Sequence, residues 1–224
     1  NVDGVAQGAI TSYTFEDIQS DHSVYAWFKA AEVIEPEPTD YLIRSDSMKA
    51  YSSLHSVLED IKNDYPSGLT KDVTVTCLVE ATEKRDTSLG TFGIFLKDFN
   101  KGSAYTLTID GAGKYTLNGR SLGIMRFENV DNVIVKGITF ANFSNMAEFS
   151  TPEEMAAITI LGKDDDYCSN LYIDNCTFNG INGEKESWYS IIAKNLNGLY
   201  ITDCTFRNNA CYVFKLNAVN ITSL

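Results

Sequence analysis

Residues able to do chemistry fall into three groups in this chain of 224 residues. The first is a run of carboxylates, Asp164, Asp165 and Asp166, in the stretch "GKDDDYCSN". Carboxylates gathered in a loop can hold Ca²⁺, which takes several oxygen ligands, and Ca²⁺ is the one cofactor this suggests. Three consecutive aspartates cannot all aim at one ion, and no Asp-x-Asp-x-Asp-Gly spacing is present, so a solvated acidic loop is the plainer expectation. The second group is basic. Arg126, Lys194 and Lys215 sit in short apolar stretches ("GIMRFE", "SIIAK" and "YVFKL") whose alternation turns them outward. Together they could meet an acidic sugar chain, although exposed Lys and Arg are also the ordinary content of a solvated surface. Trp188, in the polar loop "NGEKESWY", and Trp27 could stack on a sugar, though burial is the commoner fate of a tryptophan.

The third group comprises Cys77, Cys168, Cys176, Cys204 and Cys211, with His22 and His55. No CxxC pair occurs and both histidines lie upstream of the cysteines, so ligand spacing does not point to zinc. His55 falls beside an apolar helical stripe and reads as a surface histidine. His22, between Asp21 and Ser23, reads as loop or helix-start chemistry rather than a base.

The elements that position these residues are written as a repeat. "NVIVKGITF" (132–140), "NLYIDNCTF" (170–178) and "GLYITDCTF" (198–206) are versions of one phrase, and "AVNITSL" begins a fourth at Ala218. Leu171 and Ile173 point one way, Tyr172 and Asp174 the other, which marks a half-buried strand. A bend follows at Gly137, Asn175 or Asp203, residue types that adopt the left-handed conformation most easily. Stacking the phrases predicts an inner aliphatic ladder of Ile109, Val135, Ile173, Ile201 and Ile221. Ile138, Cys176, Cys204 and Leu224 run beside it, with Cys176 and Cys204 buried, reduced and vertically adjacent. On the third strand, Met125, Ile158, Ile191 and Tyr212 are expected inside. Arg126, Thr159, Ile192 and Val213 are expected outside, as are Glu128, Leu161, Lys194 and Lys215, with Lys194 directly above Lys215. Upstream, "SLHSVLEDIKNDYPSG" places Leu54, Val57, Leu58 and Ile61 at helical spacing, stopped by Pro66 and Gly68. "DVTVTCLVE" (72–80) then alternates as a strand.

At these phrases, and at "LTIDGAGKYTLNG" (107–119), the chain resembles the right-handed parallel β-helix of the pectate-lyase-like superfamily, over about the last three-fifths of its length. The resemblance implies an all-β fold: a single-stranded parallel β-helix closed by an N-terminal amphipathic capping helix. Residues 41–224 would form it, with 1–40 as an extension and linker packing on it. Leu224 aligns with Cys204, so the chain is expected to stop partway through a repeat of a longer protein. The resemblance further implies a monomeric, secreted or bacterial cell-surface protein that binds or processes an acidic polysaccharide. A non-catalytic adhesin, spacer or glycan-binding module is the alternative. Superfamily enzymes that cleave uronates by β-elimination need a charge neutraliser and a base together. The set expected of superfamily glycoside hydrolases is not met either, because no histidine lies in the repeats. Polysaccharide cleavage by this chain is therefore not expected.

Composition bounds the remaining classes. Apolar residues make up 44% and charged residues 21%, an ordinary globular balance. A formal charge of −12 argues against sequence-independent binding to nucleic acid, which needs a basic face. No apolar run reaches the length of a transmembrane helix.

Overall fold

The computed structural model describes residues 2–5, 7, 12–16, 20–25, 40–84, 94–119, 125–144, 156–182 and 189–223. Two compact units emerge, Asn1–Glu35 and Pro36–Leu224. In the first, Val2 bridges both Val5 and Val24. Asp3 closes this loop: its carboxylate accepts the Ser23 backbone N–H at 2.8 Å and meets His22 Nδ1 at 2.7 Å.

The second unit is built from β1 (Leu42–Arg44), β2 (Ala50–Tyr51), α1 (Leu54–Asp64), β3 (Val73–Cys77), β4 (Ala81–Lys84), β5 (Ile94–Phe99), β6 (Leu107–Asn118), β7 (Met125–Ser144), β8 (Ala156–Leu161), β9 (Cys168–Asp174), β10 (Thr177–Asn182), β11 (Tyr189–Thr202), β12 (Thr205–Arg207) and β13 (Tyr212–Ser223). β1 is antiparallel to β2 and β3, a hairpin that the repeat does not foretell. The later strands pair in parallel, and three ladders result. In the first, Val75, Ile109, Val135, Ile173 and Ile201 stand in register from β3 through β6, β7 and β9 to β11. The second stacks Leu117, Phe140, Phe178 and Phe206 from β6 through β7 and β10 to β12. The third aligns Met125, Ile158, Ile191 and Phe214 from β7 through β8 and β11 to β13. β7 takes part in all three. The fold is all-β with parallel strands, compatible with a β-helix-like arrangement.

Alternation explains why these strands stack. Along β3, and on either side of the exposed bend 112–114 in β6, every second residue is buried, and no single strand can hide that face without neighbours. The expected bends are present: Gly137, Asn175 and Asp203 have φ of 62°, 47° and 50°. Asparagines tie successive bends together, Asn170 donating to Asn132 and Asn208 to Asn179, each at 2.9 Å.

The last strand departs from the expected register. Ile221 pairs with Leu199 rather than Ile201, and Tyr212 pairs with Tyr189 rather than Ile191. Two irregularities around Gly198 (φ 87°) interrupt the pairing locally and set Leu199 level with Ile221, and the register of β13 resumes unchanged at Tyr200. Phe214, not Tyr212, continues the inner ladder, which keeps a phenol out of the apolar column. Leu224 lies outside the described residues.

One end of the stack is covered by α1. Ser53 is its N-cap, its hydroxyl accepting the Ser56 N–H at 3.1 Å. Leu54, Val57, Leu58 and Ile61 are all buried, as the spacing predicts. Glu83 stands level with Leu117 in the second ladder, where an apolar residue would be expected. Its Oε2 accepts the Leu54 N–H at 2.8 Å, the Tyr41 hydroxyl at 3.0 Å and the Tyr115 hydroxyl. A carboxylate there suits the positive end of the helix. Burial, reinforced by Glu83, pushes both phenols well above their ordinary range. Arg44, 1% exposed, fixes the helix from the other side. It grips Asp46 through Nε at 2.6 Å and a second nitrogen at 2.7 Å, and reaches Asp60 at 2.9 Å and Asp64 at 2.6 Å.

Candidate functional site

A tyrosine–lysine patch lies where β11 and β13 begin. Tyr189 stacks on Tyr212 with ring centroids 5.7 Å apart and an interplanar angle of 27°. Lys215 Nζ lies 5.6 Å from the Tyr189 centroid. Tyr212 is 54% exposed, so the stack is open to water. Lys194 is level with Asn217, and Lys215 with Ile192. The lysines are therefore diagonal neighbours on one outward face, not the direct vertical pair expected.

Charge pairing distinguishes them from several other cations of the sheet, although Lys114 on β6 and Arg207 on β12 also have no carboxylate partner among the described residues. Lys97 pairs with Glu128 at 2.6 Å, Lys136 with Asp110 at 3.0 Å, and Lys163 with Asp98 at 3.0 Å. Lys101 holds Asp131 at 3.1 Å and Asp166 at 2.9 Å. Among the described residues neither Lys194 nor Lys215 has such a partner. An ammonium group beside an aromatic pair can hold an anion that also has an apolar ring face; Lys194, five residues along β11 from Tyr189, is a second cation further along the face.

Arg126 is not brought to this patch. It is level with Thr159, Ile192 and Lys215 in turn, which places it three strand spacings, roughly 14 Å, from Lys215. Its guanidinium bonds Glu128 at 2.9 Å and lies over the Phe95 ring at 5.7 Å. Between the two, Thr159 and Ile192 are 0% and 3% exposed, so this stretch of the outer face is not the solvated surface expected. Trp188 and Trp27 lie outside the described residues.

Asp164, Asp165 and Asp166 are exposed in the loop after β8. Asp164 accepts from Asn195 at 2.9 Å, while Asp166 faces Lys101. Among the described residues no three His, Cys, Asp or Glu side chains are grouped to hold a metal ion.

Two features escaped the sequence reading. Tyr172 and Tyr200, outward at the same place in successive phrases, stack at 4.1 Å and 5°. Beside them Thr202 donates to Asp174 at 2.6 Å. The recurrence of tyrosine at the third position of two successive phrases, "NLYIDNCTF" and "GLYITDCTF", was the available signal. The other is the Asp3–His22 contact, with the Phe15 ring 4.7 Å from His22. Asp3 is held below its usual range by the Ser23 N–H and then by His22. Nothing local in the sequence joins residues that far apart.

The chain matches no protein-family model, and comparisons with curated proteins and with solved structures return no significant match.

Proposed function

We propose that residues 41–224 form a right-handed parallel β-helix whose outer face binds an acidic polysaccharide without cleaving it, on a secreted or surface-displayed protein. The observation that carries this reading is the Tyr189–Tyr212 stack with Lys215 over the Tyr189 ring, and Lys194 diagonal to Lys215 further along the face. A uronate sugar offers both complements: a carboxylate for the ammonium groups and a C–H ring face for the phenol. Exposed cation–π contacts are worth about 0.5–1 kcal/mol, enough to hold the Lys215 ammonium near the ring but not to neutralise it. β-Elimination needs a base and a charge neutraliser fixed in one geometry, and two diagonal lysines do not supply that pair. The stacked parallel strands support the β-helix, and the chain's place in the superfamily rests on its repeated phrases.

The Tyr172–Tyr200 stack favours a second reading, a neutral glycan bound on the face of the first ladder. Affinity electrophoresis through gels containing polygalacturonate or a neutral glucan separates the two. The acidic reading expects retardation by polygalacturonate that weakens with salt and is lost in Lys194→Ala/Lys215→Ala. Retardation by the glucan, insensitive to salt and lost in Tyr172→Ala, would replace it with the neutral one. Retardation by neither would end both. Release of unsaturated uronate by the purified chain, abolished by Lys215→Ala, would instead establish a lyase.

A further inference from the structure

We infer that Cys176 and Cys204 form a reversible thiol–disulfide pair, with Cys204 the thiol that reacts with a peroxide and Cys176 the one that resolves it. Both residues immediately precede strands paired in register, Thr177 with Thr205, so they occupy one position on adjacent levels of the second ladder. The Thr205 N–H donates to the Cys176 carbonyl at 2.9 Å, locking the levels together at this point. One parallel strand spacing is about 4.8 Å, within the separation of α-carbons that a disulfide spans. Both cysteines are free in the structure.

Access divides the roles. Cys176 is 1% exposed. Cys204 is half-buried and lines an open cavity of about 300 Å³ with Ile201, Asp203, Phe206 and Phe214. A small peroxide can reach Cys204 from that cavity, and Cys176 only through Cys204. The thiols themselves donate to backbone carbonyls, Cys176 to Asp174 at 3.3 Å and Cys204 to Ile173 at 3.5 Å, and as neighbours they shift one another in the same order, Cys204 down and Cys176 up. Among the described residues the other cysteines have no such arrangement: Cys77 and Cys168 are buried, and the Cys211 thiol meets Ser190 Oγ at 3.8 Å.

The chemistry balances with a hydroperoxide as oxidant. The Cys204 thiolate attacks one peroxide oxygen, the O–O bond breaks, and hydroxide (from hydrogen peroxide) or alkoxide leaves as Cys204 becomes a sulfenic acid. The Cys176 sulfur then attacks the Cys204 sulfur, the S–O bond breaks, and water leaves with the Cys176 proton. Two thiols and one hydrogen peroxide thus give one disulfide and two waters. Parallel side chains do not match the preferred disulfide dihedral. Each cysteine follows a left-handed bend, Asn175 or Asp203, where a small rotation can bring the sulfurs together at the cost of strain. A strained bridge is readily reduced, which makes the step reversible.

The test treats the folded 224-residue chain with hydrogen peroxide, blocks remaining thiols, and maps tryptic peptides by mass. The expected result is a peptide pair joined through Cys176 and Cys204, lighter by two hydrogens and separated by dithiothreitol. Cys204 lies on the peptide ending at Arg207 and Cys211 beyond it, whereas Cys168 and Cys176 share the peptide 164–185, so fragmentation of the joined pair between Cys168 and Cys176 identifies the bridged residue. In Cys176→Ser, Cys204 should stop at a sulfenic acid trapped by dimedone. Failure of the wild-type chain to bridge, or faster oxidation of Cys211 than of Cys204, would overturn the inference even if a variant fails to fold.

Discussion

Replacing Phe178 by alanine should cost about 5 kcal/mol, and replacing Phe206 about 2 kcal/mol. Phe178 is 0% exposed and sits between two parallel rings, Phe140 at 5.0 Å and 8° and Phe206 at 4.8 Å and 6°. A fully buried phenylalanine loses about 3–5 kcal/mol on truncation, and stacked neighbours on both sides put Phe178 at the upper end. Phe206 is half-buried and borders the open cavity, so roughly half of its transfer free energy is at stake. Urea unfolding followed by far-ultraviolet circular dichroism measures both. With a slope of roughly 2–3 kcal/mol per molar urea, the Phe178→Ala midpoint falls by about 2 M and the Phe206→Ala midpoint by under about 1 M. If Phe178→Ala does not fold, Phe178→Leu should still lower the midpoint more than Phe206→Leu does. Equal losses at the two positions would refute the stacked ladder.

Arg44→Ala leaves Asp46, Asp60 and Asp64 facing one another and should destabilise by about 3–5 kcal/mol, read from the same urea titration. The same cluster predicts acid lability. Burial would raise Asp46, but its bonds from Arg44 outweigh this and leave it below its ordinary value. The Tyr51 hydroxyl does the same for Asp60. Carboxylates depressed in the fold add stability that is fully present above about pH 4 and is lost as pH falls through their lower folded values. Amides of α1 should therefore exchange hydrogen faster relative to those of β7 at about pH 3 than at about pH 6. Gly162→Ala should cost about 1–3 kcal/mol, because an added Cβ would collide with the Asn195 carbonyl oxygen. Gly102→Ala, where the left-handed backbone is strained but open space receives the Cβ, should cost less.

Local periodicity made much of this structure legible. The alternation of Leu171, Ile173 and their counterparts encodes the first ladder, and the spacing of Leu54, Val57, Leu58 and Ile61 encodes the cap helix, because each pattern is written within a few residues. The last register was not legible. The register of β13 is set upstream of Gly198, where Tyr189 already stands level with Tyr212 and Ile191 with Phe214, and nothing in the phrases specifies it, so Tyr212 and Phe214 exchange roles. Glu83 was hidden for the opposite reason. A glutamate in an apolar column looks like a break in the pattern until the helix N-terminus and two phenols that satisfy it are brought from distant positions. Of the candidate site, Lys194 and Lys215 were visible as outward lysines, but the aromatic partner of Lys215 depends on the register that the phrases do not specify.

The most direct measurement of glycan binding is a calorimetric titration of the full 224-residue chain with a galacturonate oligosaccharide, at low and at physiological ionic strength. Binding is expected at low salt, weaker at the higher salt, and reduced at least about tenfold in a folded Tyr212→Ala/Lys215→Ala chain, the loss of about 1.4 kcal/mol that an aromatic and a charged contact together would give. Absence of binding at low salt, or an affinity indifferent to salt and to both substitutions, would contradict it.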